Sequence, residues 1–90
     1  MNKHIELVKK WLADPESVSL EELKANREAA RDNWDAGATR ATIAAYWAAD
    51  AAVEAVKAAV YWAAGATAVE TVYWRNQTIT YIKQYEELTK

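Results

Sequence analysis

Apolar residues recur along this chain at helical intervals, and no segment alternates between apolar and polar positions as a β-strand would. The helical pattern covers residues 4–13, 20–36, 40–64 and 68–88. A chain of 90 residues is the length of one domain. The pattern therefore predicts an all-α fold, a small single-domain helical bundle over residues 1–90 with a short N-terminal helix and three longer helices.

The first two helices carry sequence signals at their ends. Asp14-Pro15 ends the first helix, because the residue before a proline disfavours helical backbone. Ser19 and Glu22 have the spacing of a capping box, which predicts the start of the second helix, and Gly37 is expected to end it. The apolar face of the first helix consists of Ile5, Val8 and Leu12, and that of the second of Leu20, Leu23, Ala30 and Trp34.

The third predicted helix, residues 40–64, has two apolar faces. One face repeats at steps close to those of a coiled coil and comprises Ile43, Tyr46, Val53, Val56 and Val60, with Ala49 and Ala63 between them. The other face carries Trp47, Tyr61 and Trp62. A helix with two apolar faces either lies centrally in the fold or contacts another subunit. Alanines along this helix are expected to let neighbouring helices approach closely; they are Ala44, Ala48, Ala51, Ala52, Ala55, Ala58 and Ala59.

A six-residue phrase, W-x-A-G-A-T, occurs at residues 34–39 and 62–67 and contains both glycines of the chain. We interpret it as a duplicated helix boundary, in which glycine ends one helix and Thr39 or Thr67 caps the next. In the alternative, Gly65 lies inside one bent helix, since a single glycine costs only about 1 kcal/mol relative to alanine.

The last predicted helix has a less regular composition. Its main stripe is expected to be Val69, Val72, Ile79 and Ile82, with Tyr73 and Tyr85 at the edges. Its middle is polar and is the expected site of frayed structure, because it contains Asn76, Gln77, Thr78 and Thr80.

Composition and charge exclude several classes of protein. The net charge of -2 argues against a nucleic-acid binder, and the chain has no cysteine for a disulfide framework. Charged residues interrupt the low-charge segment between Ala41 and Trp74, which argues against a membrane span. We therefore expect a soluble, cytoplasmic protein. Five Trp and five Tyr, the aromatic types enriched at interfaces, favour a homo-oligomer.

No arrangement of residues predicts catalysis, a metal or a cofactor. His4, the single histidine, is expected to be a surface or capping residue in the first turn. Arginine next to an aromatic ring can stack a base and hold a phosphate. Two clusters combine these residue types. One comprises Arg27, Arg31 and Trp34 near Arg40, and the other comprises Trp74 and Arg75 near Tyr81. The candidate ligand-binding residues are Trp47, Trp74, Arg75, Arg40 and Tyr81. In the competing interpretation, the rings fill the core or an interface and the charges form solvated helix faces.

Both ends of the chain resemble a family of small uncharacterised proteins of tailed bacteriophages. The similar segments are residues 5–19 with 21–23, and residues 81–83 with 85–88. The resemblance implies a phage accessory protein, a class that often counters bacterial defence in the cytoplasm of the infected host. The resulting hypothesis is a non-enzymatic protein that binds and sequesters a small nucleotide-type signalling molecule. The alternatives are an inhibitor that blocks a host defence protein through an exposed aromatic helical face, or a structural oligomer without a ligand.

Overall fold

A computed structural model of the protein describes residues 2–61 and 67–89. Four α-helices follow one another in these residues, α1 (Lys3–Ala13), α2 (Leu20–Ala36), α3 (Arg40–Tyr61) and α4 (Thr67–Leu88), with a 3-10 turn at Pro15–Ser17. The described residues contain no strand. The all-α class is confirmed, and α2 and α3 begin at the predicted residues.

Helices α3 and α4 lie antiparallel and share the most extensive interface of the fold. Trp47 stacks on Tyr81, and Arg40 lines a groove with Leu88, so the start of α3 lies beside the end of α4. The two are thus separate helices that pack on each other. The prediction that Gly65 ends or bends the helix concerns residues 62–66, which lie outside the described residues.

Helix α3 occupies the centre of the fold, because α1, α2 and α4 all pack against it. Its alanines form much of the core, and the buried ones are Ala44, Ala45, Ala48, Ala49, Ala51, Ala52, Ala55 and Ala58. Of the two predicted alternatives for a helix with two apolar faces, a central position or a contact with another subunit, the central position is present in the described residues. The side chains of Ala59, Val60, Tyr61, Trp62 and Ala63 lie outside the described set. Within the described part of the chain, no helix has the length and apolar character needed to cross a membrane.

The predicted caps are present at the starts of α2 and α3. The hydroxyl of Ser19 accepts from the backbone N–H of Glu22 at 3.1 Å, and the Glu22 carboxylate accepts from the backbone N–H of Ser19 at 3.2 Å. Thr39 and Thr42 make the same exchange at the start of α3, at 2.9 and 3.1 Å. These bonds satisfy N–H groups that have no partner within a helix. They also fix where α3 begins, and hence the position of Arg40.

The predicted buried stripe of α4 is wrong in part. Ile82 is buried, but the side chains of Val72 and Ile79 are 56% and 36% exposed, while Thr78 is completely buried. Thr78 tolerates burial because its hydroxyl donates to the carbonyl of Trp74 at 2.8 Å. The helix is continuous through this polar segment, so the expectation of fraying is also wrong. The side chain of Val69 lies outside the described set.

Candidate functional site

Four aromatic side chains from three helices meet about two turns from the start of α3 and the end of α4. Trp34 lies 5.2 Å from Tyr46 and 6.3 Å from Trp47 between ring centroids, and Tyr46 and Trp47 are 5.5 Å apart. Trp47 also stacks on Tyr81, at 6.2 Å and an interplanar angle of 27°. We refer to these four residues as the aromatic cluster. Trp47 is 40% exposed, so the cluster presents part of an indole ring to solvent.

A groove of about 500 Å³ lies between the C-terminal half of α4 and the first residue of α3, and none of the four cluster residues lines it. The residues that line it are Arg40, Thr80, Lys83, Gln84, Glu87 and Leu88. Arg40 lies two helical turns before Trp47, and Leu88 two turns after Tyr81, so these two lining residues are about 10 Å from the cluster along the helix axes. We refer to it as the α3–α4 groove. Neither Arg40 nor Lys83 forms an ion pair with another described residue.

The structure divides the five predicted ligand-binding residues between two places. Trp47, Tyr81 and Arg40 lie at the aromatic cluster and the α3–α4 groove. Trp74 and Arg75 lie about two turns from Tyr81 along α4. Trp74 is partly buried against the core. The Arg75 guanidinium donates to the backbone carbonyl of Leu12 at 3.0 Å, at the C-terminal end of α1 where carbonyls lack helical partners.

Sequence reasoning did not include Trp34, Tyr46 and Lys83 among the ligand-binding candidates. A signal for Trp34 was present, because it belongs to the first basic–aromatic cluster and to the repeated phrase. Its neighbour in that cluster, Arg27, is engaged elsewhere, with Glu28 at 3.4 Å and Asp50 at 3.6 Å. Lys83 had no signal of its own, since its importance depends on the position of Arg40 across the groove.

His4 is 3% exposed, so the prediction of a surface or capping histidine is wrong. Its Nδ1 lies 2.9 Å from the Asn26 side-chain oxygen, and the Asn26 amide nitrogen donates to the His4 carbonyl at 3.2 Å. That second bond sets the orientation of the Asn26 amide, so Nδ1 must donate. Nε2 then accepts from the Asn33 amide at 2.9 Å. His4 therefore joins α1 to α2, and the capping role belongs to Asn2, whose oxygen accepts from the backbone N–H of His4 at 2.8 Å.

Helix α1 is also attached to α4 by an ion pair. Lys9 Nζ donates to a Glu86 carboxylate oxygen at 3.0 Å, and this hydrogen bond raises the pKa of Lys9 above its usual value. Both side chains are about half exposed, at 41% and 51%. Solvent screens such a pair, so we attribute the docking of α1 to its buried residues Ile5, Val8 and Trp11 rather than to this contact.

Asp50 is a half-buried carboxylate between α2 and α3. Burial raises the pKa of Asp50 above its ordinary value of 3.8, and the nearby charge of Glu54 raises it further. The Arg27 guanidinium, 3.6 Å away, opposes both effects without reversing them. The charged form of Asp50 is thus less favourable in the folded protein than in the unfolded chain.

We expect Asp50→Asn to change how stability depends on pH. Because the folded pKa is raised, Asp50 contributes stability below pH 3.8 that is lost as pH rises through the folded pKa. The free energy of unfolding of the wild type should therefore fall relative to Asp50→Asn across that window, as measured by urea denaturation at several pH values. Glu28→Gln removes the other carboxylate beside Arg27 at a 63% exposed position and is the matched control. A wild type that gains stability relative to Asp50→Asn as pH rises would contradict the assignment.

Comparison of the chain with protein-family models, curated proteins and solved structures finds no match. The resemblance of the chain ends to phage proteins therefore stays a prediction.

Proposed function

We propose that the protein binds a small nucleotide-type ligand at the α3–α4 groove and sequesters it without transforming it. The observation that carries this proposal is the partly exposed Trp47 ring near a groove lined by two cations, Arg40 and Lys83, neither of which forms an ion pair among the described residues. In this arrangement the base stacks on Trp47, and the phosphate lies between the guanidinium and the ammonium group.

The aromatic cluster supports stacking because it holds Trp47 in place. Trp34 and Tyr46 contact the ring from α2 and α3, and Tyr81 lies nearly parallel to it from α4. A ring that is already ordered loses less conformational entropy when a ligand binds. Stacking of a base on an aromatic side chain is worth about 1–3 kcal/mol.

The groove offers chemistry suited to the rest of a nucleotide. Arg40 can donate two parallel hydrogen bonds to a phosphate, and Lys83 supplies a compact positive charge. Thr80 and Gln84 also line the groove and can hydrogen-bond a sugar or a base edge. The resemblance of the chain ends to phage proteins suggests the biological setting, in which removal of a nucleotide signal disarms a host defence system.

We expect a thermal-shift panel of nucleoside monophosphates, cyclic nucleotides and ADP-ribose derivatives to stabilise the protein with at least one ligand. Trp47→Ala should then weaken the binding of that ligand by roughly 10- to 100-fold, the loss of one stacked base. Isothermal titration calorimetry measures the change. Trp74→Ala is the matched control, because Trp74 lies away from the groove on α4.

The control also tests the position of the site. If Trp74→Ala weakens binding as much as Trp47→Ala, the ligand lies at Trp74 and Arg75, the second basic–aromatic cluster of the chain. If no ligand of the panel shifts the melting temperature, the proposal fails.

A second candidate function is supported by the outer face of α4. The side chains of Val72, Tyr73 and Ile79 are 56%, 53% and 36% exposed, which is a large apolar exposure for neighbouring turns of one helix. Such a face suits a protein–protein inhibitor, or the homo-oligomer of a purely structural protein.

Co-purification of one host protein, with no response to nucleotides, favours the inhibitor. Light scattering against concentration tests the homo-oligomer, and a strict monomer at high concentration contradicts it.

A further inference from the structure

A cavity of about 570 Å³ lies between the first half of α1 and the end of α4. Its lining has an apolar part and a charged part. Ile5 is 2% exposed and forms the apolar base together with the partly buried Tyr85. The charged part comprises Glu6, Lys9 and Glu86. We refer to this site as the α1–α4 cavity, and it is distinct from the α3–α4 groove, which other residues line.

The three charged side chains of the α1–α4 cavity lie close together. Lys9 Nζ donates to a Glu86 carboxylate oxygen at 3.0 Å, which joins the two helices at the cavity. Glu6 precedes Lys9 by three residues, so both lie on the same face of α1. The hydrogen bond with Glu86 is the main cause of the raised pKa of Lys9, and the charge of Glu6 adds to it. Lys9 therefore stays charged at neutral pH, and two carboxylates share one ammonium group.

This arrangement favours a cationic ligand. The two carboxylates and the one ammonium group give the lining a net charge of -1, since its other residues are uncharged. An anion would be repelled by both carboxylates, whereas a monocation brings the net charge to zero beside an apolar surface, where charges interact more strongly than in water. An ammonium group carries only hydrogen-bond donors, which match carboxylate oxygens. Tyr85 favours a cation as well, because the face of an aromatic ring attracts positive charge.

We propose that the α1–α4 cavity binds a small organic monocation. The ammonium group of the ligand lies between Glu6 and Glu86, and the apolar part of the ligand lies on Ile5 and Tyr85. A carboxylate has about four lone-pair sites, so Glu86 can accept from the ligand and from Lys9 at the same time. This inference does not rest on the proposed nucleotide-binding function, because a nucleotide is an anion and its site is the α3–α4 groove.

NMR titration of the isotope-labelled protein with a matched pair of ligands tests the proposal. Phenethylamine is a monocation at neutral pH, and phenethyl alcohol has nearly the same shape without the charge. We expect the wild type to bind the amine about tenfold more tightly than the alcohol, the lower end of the value of a hydrogen bond to a charged group. The amine should shift the signals of Ile5 and Tyr85. Equal affinity for the two ligands, or shifts centred on Ile79 at the outer face of α4, would overturn the proposal.

Two substitutions in the lining should change the affinity for the amine in opposite directions. Glu6→Gln removes one carboxylate, so the preference for the amine over the alcohol should be largely lost. Lys9→Met removes the cation that competes for Glu86 and should strengthen the binding of the amine several-fold. The matched controls are Glu21→Gln on α2 and Lys10→Met on α1. They make the same changes in net charge at exposed positions outside the lining and should leave the affinity unchanged.

Each of these variants can contradict the proposal. If Glu6→Gln and Glu21→Gln weaken binding equally, the amine responds to the net charge of the whole protein and the cavity is not its site. If Lys9→Met weakens binding, the lysine supports the ligand instead of competing with it, and the proposal fails. The melting temperature of each variant shows whether the fold is retained, and the comparison of amine with alcohol on the wild type decides the matter where it is not.

Discussion

Replacement of Ala48 by leucine is expected to lower the free energy of unfolding by about 3 kcal/mol, as overpacking of a dense core does. Ala48 is completely buried in the middle of α3, and three helices pack around that helix. A leucine adds three carbons where the neighbouring helices leave room for a methyl group, so α3 has to move away from its neighbours. The effect on ligand binding should be larger than the effect of a distant destabilising change, because both walls of the α3–α4 groove belong to these helices.

Chemical denaturation followed by circular dichroism measures this change in the free energy of unfolding. Ala25→Leu is the matched control, because it makes the same substitution on an exposed position of α2, and such changes stay within about 0.5 kcal/mol. An Ala48→Leu variant as stable as the wild type would show that the alanines line free space rather than a close-packed interface.

The local signals in the sequence account for much of the helical architecture. Ser19, Glu22 and Thr39 act through hydrogen bonds to residues three positions away, so their spacing alone predicts where α2 and α3 begin. The two apolar faces of α3 left two alternatives, a central position or a contact with another subunit, and the packing of α1, α2 and α4 shows the first. The buried side of α4 does not follow from periodicity, because Val72 and Ile79 form as regular a stripe as the residues that are buried. Packing against α3 selects the side with Thr78, whose hydroxyl bonds within its own helix.

The residue types of the candidate site were predictable from the sequence, but which of those residues lie together in space was not. Trp47, Tyr81 and Arg40 meet because α3 and α4 are antiparallel, which determines that residues far apart in the chain lie at the same level. Trp74 and Arg75 are adjacent in sequence and resemble a stacking and phosphate pair. The Arg75 side chain instead contacts the carbonyl of Leu12, 63 residues away, and no local pattern specifies that contact. Local sequence thus identifies the groups, and tertiary packing selects which of them remain available to a ligand.

The error at His4 has the same origin, since its partners Asn26 and Asn33 lie 22 and 29 residues away. His4→Leu is expected to lower the free energy of unfolding by about 3 kcal/mol, because it leaves the oxygen of Asn26, 8% exposed, without a donor. The double variant His4→Leu, Asn26→Leu should recover part of this loss in urea denaturation, since removal of both partners of a buried hydrogen bond is less costly than removal of one.

Asn33→Ala is the control at the exposed end of the network and should lose less than about 1 kcal/mol of the free energy of unfolding. If the double variant is no more stable than His4→Leu, the unpaired Asn26 oxygen is not the cause, and the imidazole contributes through its packing between α1 and α2.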